Sequence, residues 1–339
     1  MAERADVVVV GGGVMGLAAA WALARRGHEP VVLERDRVGH AGGSSHGATR
    51  VFRLAYVEAE WVRLAQTALG LWRELEVETD EQVLDLVGLV DLPVDATRLT
   101  RTLDDCGTRY ELLDPIDVER RFGLATTCSK VVFQPDAGVV LADRALDAFR
   151  AGLDVREETP VTAVVPGTDG ARLETAQGTI EARVAVVAAG AWARPLLARV
   201  GIDLPVVVTR ETVAYFRLAN GGTVPSVIDY PDDQTYALTA GPGLLKVGVH
   251  HSGAPTDPDE PGEPDAAIAA REARWAAKSF ALARAEPESV ETCLYTTTRD
   301  IRFVLERHGP IVVCSACSGH GFKFAPAVGT RVAALVSGR

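Results

Sequence analysis

Residues 6–36, DVVVVGGGVMGLAAAWALARRGHEPVVLERD, constrain the fold of this chain more than any other stretch. Val7 to Val10 is an apolar, β-branched run, the composition of a strand covered on both faces in a parallel sheet. It leads into Gly11-Gly12-Gly13-Val14-Met15-Gly16, which satisfies G-x-G-x-x-G at Gly11, Gly13 and Gly16. Glycines so placed serve a tight turn, close backbone approach to a pyrophosphate, and close packing of helix on strand. Leu17 to Arg26, rich in Ala and Leu, predicts a helix whose free N–H groups and dipole point at phosphates. Gly27 ends it, and Pro30 to Leu33 predicts a second strand. That strand delivers Glu34 about twenty residues past the glycines, where a carboxylate accepts hydrogen bonds from a ribose 2′-OH. A glycine fingerprint alone is weak, but strand, glycines, helix, strand and acid in order supply the context that gives it meaning. The chain is expected to bind an adenine dinucleotide with a free 2′-OH, NAD or FAD rather than NADP.

Composition narrows the classes. A chain of 339 residues buries a large core and predicts two domains. A net charge of −11 argues against nucleic acid or an anionic membrane as partner, and 47% hydrophobic with 24% charged residues is a globular composition. No apolar run reaches the length of a membrane span, and the acidic start MAERAD is unlike the basic start of a secretory signal. A cytoplasmic protein is expected. Five cysteines, Cys106, Cys128, Cys293, Cys314 and Cys317, are an odd number, so no disulfide framework is expected in that compartment. Cys314-x-x-Cys317 lacks a second pair or a His at ligand spacing and follows an apolar strand, which favours buried thiols over a metal site. No metal is expected.

Further along, residues 37–50 form a glycine- and serine-rich loop that a bound cofactor could order. Trp61 to Val77 has helical spacing, Val83 to Leu92 is strand material, and Asp95 to Glu111 predicts a helix leading to a strand. Residues 134–138 read as a turn between strands, and Asp143 to Arg150 as a helix. Val155 to Val165 predicts a strand, Ala171 to Thr175 with Gly178 to Glu181 a hairpin, and Ala182 to Trp192 a separate buried strand. Thr209 to Leu218, Ser226 to Asp229 and Thr235 to Gly248 predict an antiparallel sheet. Ala254 to Pro264 is an exposed loop and Ala266 to Ala285 a helix. A last strand, Ile311 to Val313, leads through a loop to a helix over Val328 to Val336. The pattern is α/β: a dinucleotide domain assembled from separated parts of the chain, with a β-rich domain inserted.

Three motifs in order, Ser44-Ser45-His46-Gly47-Ala48-Thr49-Arg50-Val51-Phe52-Arg53-Leu54-Ala55-Tyr56, Cys293-Leu294-Tyr295-Thr296 and Ser318-Gly319-His320-Gly321-Phe322-Lys323-Phe324, resemble signatures of the flavin-dependent amine oxidases of the monomeric sarcosine oxidase and N-methyltryptophan oxidase family. That family has a D-amino-acid-oxidase-like fold. The resemblance runs nearly end to end. It implies that the dinucleotide is FAD, held in a Rossmann-like domain of glutathione-reductase type, with an inserted antiparallel-sheet substrate domain roofing the flavin. The corresponding division is 1–80, 135–205 and 290–339 for the FAD domain, and 81–134 and 206–289 for the substrate domain. It also implies a small amino acid substrate, O2 as partner and a monomer.

Residue by residue, the resemblance implies cofactor contacts at Gly11, Gly13, Val14, Met15, Gly16, Glu34, Arg35, Ser44, Ser45, Thr49, Arg50, Val161, Gly190, Trp192, Cys293, Gly319, Gly321, Phe322 and Lys323. Cys293 matches the cysteine that bonds to the flavin 8α-methyl; by residue chemistry alone it reads as a buried, inert thiol. Arg53 and Lys323 match the pair that grips the substrate carboxylate, although any Arg or Lys taken singly reads as surface charge. Lys246, one charge in the apolar run Leu244-Leu245-Lys246-Val247, matches the oxygen-activating lysine; a strand lysine facing solvent is the plain alternative. Arg50 matches a second basic group near the flavin, Tyr236 and His250 match cavity positions, and His320 matches a histidine beside the ring, as base or as neutral spacer. The chain departs from the family at Cys317, which replaces an aromatic, and at Ala48, which replaces an acid. It also ends at Arg339, soon after the final helix.

The expected activity is oxidation of a small secondary amine or N-methyl amino acid: hydride transfer to flavin N5, hydrolysis of the iminium, and reduction of O2 to H2O2. A cyclic imino acid resembling pipecolate or proline, or an amine of secondary metabolism, is the alternative substrate. An NAD-dependent dehydrogenase is the reading from a different class.

Overall fold

The computed structural model describes residues 3–232 and 234–338. Its first sheet is built on the opening strand Glu3–Val10, which pairs in parallel with Pro30–Leu33 on one side and Gly178–Val187 on the other. Asp154–Arg156 extends it beyond Pro30–Leu33. Alternation along the opening strand explains its all-apolar sequence. Val7 and Val9 face a core with Leu17, Trp72, Phe149 and Val328 from the covering helices Val14–Ala24, Ala59–Thr79, Ala142–Arg150 and Ala325–Ser337, while Val8 and Val10 face a second core with Leu173, Val187 and Leu197. A strand buried on both faces has no polar side to show.

Gly178–Val187 is one strand of ten residues, not a hairpin arm followed by a separate strand. The sequence reading divided it because its two halves have different company on the same edge. Ala171–Thr175 pairs antiparallel with the first half and Ile311–Ser315 parallel with the second. Conversely, the strand expected over Val155 to Val165 is two, Asp154–Arg156 and Val161–Pro166, separated where Glu158 takes a left-handed φ of 55°. The helix expected to reach Glu111 ends at Asp105, and the helix expected to reach Ala285 ends at Ser279, after which Phe280 turns into the core. A short helix, Pro115–Phe122, went unread; Pro at its start and Gly123 at its end frame it.

The second sheet has nine strands. It is mainly antiparallel with one parallel pair, Ser226–Asp229 beside Leu89–Leu92. Val206–Arg217 lies between Leu244–Val249 and Ser289–Thr298. Helix Ala266–Ser279 covers the back, packing Trp275 and Ala276 against a core that holds Ala214, Phe216, Leu245 and Val247. Ser289–Thr298 is where the tertiary structure departs from the sequence reading, which grouped residues from 290 onward with the dinucleotide domain. This strand pairs with Val206–Arg217 over ten positions, so Cys293 reaches the site from the roofing sheet. Between the two sheets a small three-stranded one joins Thr49–Phe52, Gly138–Leu141 and Leu84–Asp85. Among the described residues no helix is long and apolar enough to cross a membrane.

Candidate active site

One cavity of about 530 Å³ runs from the glycine loop to the roofing sheet. At its first end the helix Val14–Ala24 begins at Gly13 without a side-chain cap, so its N-terminal dipole opens on the cavity. Gly11, Gly13, Val14 and Met15 line it, whereas Gly16 does not. Gly16 works beneath the surface: a Cβ there would lie 1.9 Å from the Gly11 carbonyl oxygen, so only glycine lets helix and loop close. Glu34 ends the second strand almost fully buried and accepts hydrogen bonds from the backbone N–H of Gly12 (2.6 Å) and Asp36 (2.9 Å). Ser45 Oγ accepts from Val14 N–H, and Ser44 Oγ donates to the Leu294 carbonyl, tying the serine-rich loop to both domains. Arg35 lies over the Trp192 ring at 4.0 Å. Val161 and Gly190 complete this end.

Midway, Thr49 Oγ1 donates to the Thr239 carbonyl of the roofing sheet, and Arg50 donates to the carbonyls of Thr49 and Ser44 with its guanidinium 5.6 Å from the Phe322 ring. Lys246 stands opposite Tyr215 and Leu238 in the sheet register and faces the cavity rather than solvent. Burial, aided by the Arg50 charge, lowers its ammonium to about 8. Cys293 lines the same region. Burial raises its thiol above the ordinary value, while Lys246 and Arg50 pull it down.

At the far end Gln134 is buried and accepts from the N–H groups of Leu54 and Ala55, which fixes the turn carrying Arg53. Arg53 donates to the Tyr230 hydroxyl, stacks 4.1 Å from the Tyr56 ring, and lies 3.7 Å from Asp91. Burial opposes its charge, but Tyr230, Tyr56 and Asp91 together hold the guanidinium ionised. Lys323 donates to the His320 carbonyl at 2.7 Å; burial and Arg53 push its ammonium down. The backbone of Lys323 is held in turn, its carbonyl accepting from the Trp72 indole. His320 packs against Trp61, Phe303 and Phe324, with Nε2 3.1 Å from the Ile301 carbonyl. Burial and Lys323 lower it to about 3, so the ring is neutral and Nε2–H is the donor to Ile301. Tyr236, His250 and Tyr295 form an aromatic wall, with His250 Nδ1 3.3 Å from the Tyr295 hydroxyl. That wall needs Gly319, at φ +71°, because a Cβ there would stand 2.5 Å from the Tyr295 ring and 2.6 Å from His250.

Every site residue expected from the sequence except Gly16 lines this one cavity, although the residues come from both sheets and from stretches scattered along the chain. Tyr56, Asp91 and Tyr230, all at Arg53, were not singled out by the sequence reading. Asp91 did leave a signal, a lone acid in the apolar run Leu89-Val90-Asp91-Leu92, and Tyr56 closes the first of the three motifs; Tyr230 left none beyond aromatic composition. The donor set suits FAD. A helix N-terminus that begins at a glycine and a backbone-anchored carboxylate occupy the end where pyrophosphate and ribose would lie, with basic side chains and aromatic rings at the other.

A family model described as FAD dependent oxidoreductase matches residues 6–335. The chain is 30% identical to monomeric sarcosine oxidase of Bacillus sp. (strain B-0618), over 97% of this chain and 91% of that protein. It is 31% identical to peroxisomal sarcosine oxidase of Mus musculus, over 96% and 90%. Among solved structures it is similar to the open form of NikD, an unusual amino acid oxidase essential for nikkomycin biosynthesis, with a TM-score of 0.87 and 30% identity over 98% of this chain and 94% of that one.

Proposed function

Because the chain belongs to the FAD dependent oxidoreductase family, we propose that it oxidises the C–N bond of a small secondary amino acid, with an N-methyl amino acid such as sarcosine as the reference substrate. Family membership sets the nicotinamide alternative aside. The observation that carries the reading is the pair Arg53, largely buried, and Lys323, buried, which close the cavity opposite the dinucleotide end. An α-carboxylate bound there would be gripped by the guanidinium fork and the ammonium together, which fixes the α-substituents toward the middle of the cavity.

FAD, when bound, accepts hydride at N5 and passes the electrons to O2. The residues of this chain prepare the remainder. Arg53, Lys323 and Lys246 disfavour a further cation beside them, so the substrate amine sheds its proton and presents a nitrogen lone pair. His250 and His320, both held neutral by burial, add no opposing charge. Lys246 supplies positive charge where reduction of O2 builds negative charge. The turn Phe322–Phe324, whose Phe322 and Lys323 line the cavity, leads into the helix Ala325–Ser337, whose N-terminal dipole would favour negative charge on a cofactor held there. The iminium product hydrolyses in water to amine and aldehyde, and O2 leaves as H2O2. Cys293, with Lys246 and Arg50 near its sulfur, is the residue for covalent attachment of FAD. We further take the protein to act as a cytoplasmic monomer.

A cyclic imino acid is the second reading, favoured by the aromatic rings of Tyr56, Trp61 and Tyr230 that share the clamp end of the cavity. Anaerobic mixing of the purified flavoprotein with sarcosine and with proline tests both. Bleaching of the flavin by sarcosine, followed by H2O2 on admission of air, is the expected result; bleaching by proline alone moves the assignment to the cyclic class, and no reduction by either removes the proposed substrate class.

A further inference from the structure

Arg53 meets a second carboxylate besides the one proposed for the substrate. Asp91 lies in the strand Leu89–Leu92, in register with Ile228 on one side and Val132 on the other. It is fully buried, it does not line the cavity, and neither of its carboxylate oxygens has a hydrogen-bond partner. Among the described residues its one charged contact is Arg53 Nη1, 3.7 Å from Oδ2. The other titratable groups around it are Tyr56 after the strand Thr49–Phe52, Tyr230 after Ser226–Asp229, and Cys128 before Val131–Gln134. Lys323 adds its charge from the turn Phe322–Phe324 and couples to Arg53.

A carboxylate in this position is expensive to keep ionised, since nothing but a guanidinium offsets its desolvation. A second carboxylate on the cavity side of the same guanidinium makes it more so, because two anions then share that guanidinium and one of them, Asp91, is fully buried. We infer that Asp91 is a proton-linked counter-ion of the carboxylate clamp: when a ligand carboxylate docks on Arg53 and Lys323, Asp91 takes a proton from solvent, and the fork of Arg53 turns its charge wholly to the ligand. The inference rests on the carboxylate clamp of the proposed function. Burial already raises Asp91 to about 7 against the pull of Arg53, so the charge change falls near neutrality. The sign follows. Below that value Asp91 already carries its proton and affinity is flat. Above it, binding must take up a proton, and Kd for a carboxylate rises by up to about tenfold per pH unit until the raised value of the occupied site is passed.

Acetate, ionised throughout, is the probe, titrated into the flavin-loaded protein between pH 6 and pH 9 with Kd read from the flavin absorbance. The expected result is a Kd that is level at the acid end and climbs by about tenfold or more above neutrality. Calorimetry in buffers of different ionisation enthalpy should then show uptake of up to about one proton in the alkaline arm. Asp91→Asn should bind acetate at every pH with the affinity the parent shows at pH 6. Two lysines could give the same sign, since Lys246 falls to about 8 and Lys323 is lowered by burial. A steep dependence that survives in Asp91→Asn would hand the effect to them and overturn the inference. Lys323→Arg, whose charge does not titrate in this range, should keep the dependence, and its loss there would do the same. Lys246→Met should keep it as well, and the two lysine variants together decide the matter even if Asp91→Asn does not fold. A flat Kd without proton uptake in the parent overturns the inference and leaves the clamp standing. Acetate that fails to bind, or binds equally well to Arg53→Ala, overturns both.

Discussion

Lys246 shows how one residue can be read in two ways until its surroundings are known. In sequence it is a lysine in a strand; in the fold it is a nearly buried ammonium beside Cys293 and Arg50, lowered to about 8. If its charge serves O2 reduction, Lys246→Met keeps the stem and deletes the charge. Stopped-flow reoxidation of the reduced variant should then slow by roughly a hundredfold, while anaerobic reduction by substrate changes little. The pH dependence of the parent has a definite sign. The ammonium is charged below about 8 and neutral above, so reoxidation should slow as pH rises through that value. Reoxidation that is level with pH and unchanged in Lys246→Met would make this an ordinary core lysine. At the clamp, Arg53→Ala removes one partner of a desolvated carboxylate contact and also takes from Asp91 the one cation it meets among the described residues. A loss of about 2–5 kcal/mol in binding of carboxylate inhibitors is expected, and inhibition constants equal to the parent's would place the carboxylate elsewhere. For Cys293, flavin colour should remain with acid-precipitated protein and travel with the tryptic peptide that contains it. Colour released wholly to the supernatant would leave FAD bound without a covalent link.

At the scale of the element, the glycine loop and the helix after it form one unit whose geometry admits no side chain at its inner contact. Gly16→Ala places a methyl 1.9 Å from a backbone oxygen, and backbone cannot swing aside as a flexible side chain would. Helix Val14–Ala24 would have to lift away from its sheet, where Leu17 and Leu23 are fully buried. Overpacking of this kind costs about 1–3 kcal/mol. The variant should melt earlier than the parent and retain less flavin, measured by thermal unfolding and by the ratio of flavin to protein absorbance; a parent-like melt with full flavin would mean that the loop relaxes freely. The loop before helix Ala266–Ser279 also does more than its composition indicates. It is exposed, as its Pro, Asp and Gly content leads one to expect, yet Asp259 accepts from Arg35 at 2.9 Å and from the Trp192 indole at 2.7 Å. It thereby straps the roofing sheet to the dinucleotide end.

Across the whole molecule, the cavity has no wall that belongs to a single stretch of chain. Glu34, Gly190, Cys293 and Gly319 reach it from two sheets and the loops between them. A cofactor held by all of them binds the assembled protein and not the unfolded chain, so it should stabilise both domains together. Free ligand at a hundred times Kd is worth about 2.7 kcal/mol. Protein produced without flavin should therefore unfold at lower temperature in calorimetry and shift upward when FAD is restored; equal melting with and without FAD would mean that the domains hold together without help from the cofactor.

The sequence by itself determined the dinucleotide unit, because everything that unit needs is local. An apolar strand, glycines at fixed spacing, a helix and an acid at the next strand end lie within residues 6–36, and each imposes its geometry on its neighbours. It also carried the three motifs whose residues gather in the cavity. What it could not settle depends on contacts between residues far apart. The two halves of Gly178–Val187 read as different strands because their partners on one edge lie before it in the chain for one half and far after it for the other. The strand Ser289–Thr298 went unread because alternation of Thr and apolar residues does not name a partner, and its pairing with Val206–Arg217 is a matter of register. Asp91 is the clearest case. Its place in an apolar strand was legible, but its standing 3.7 Å from Arg53 with no other partner among the described residues was not. The distance from an acid to a guanidinium thirty-eight positions away in the chain is fixed only when both segments pack, and that distance decides whether the acid is a surface charge or a proton-binding group.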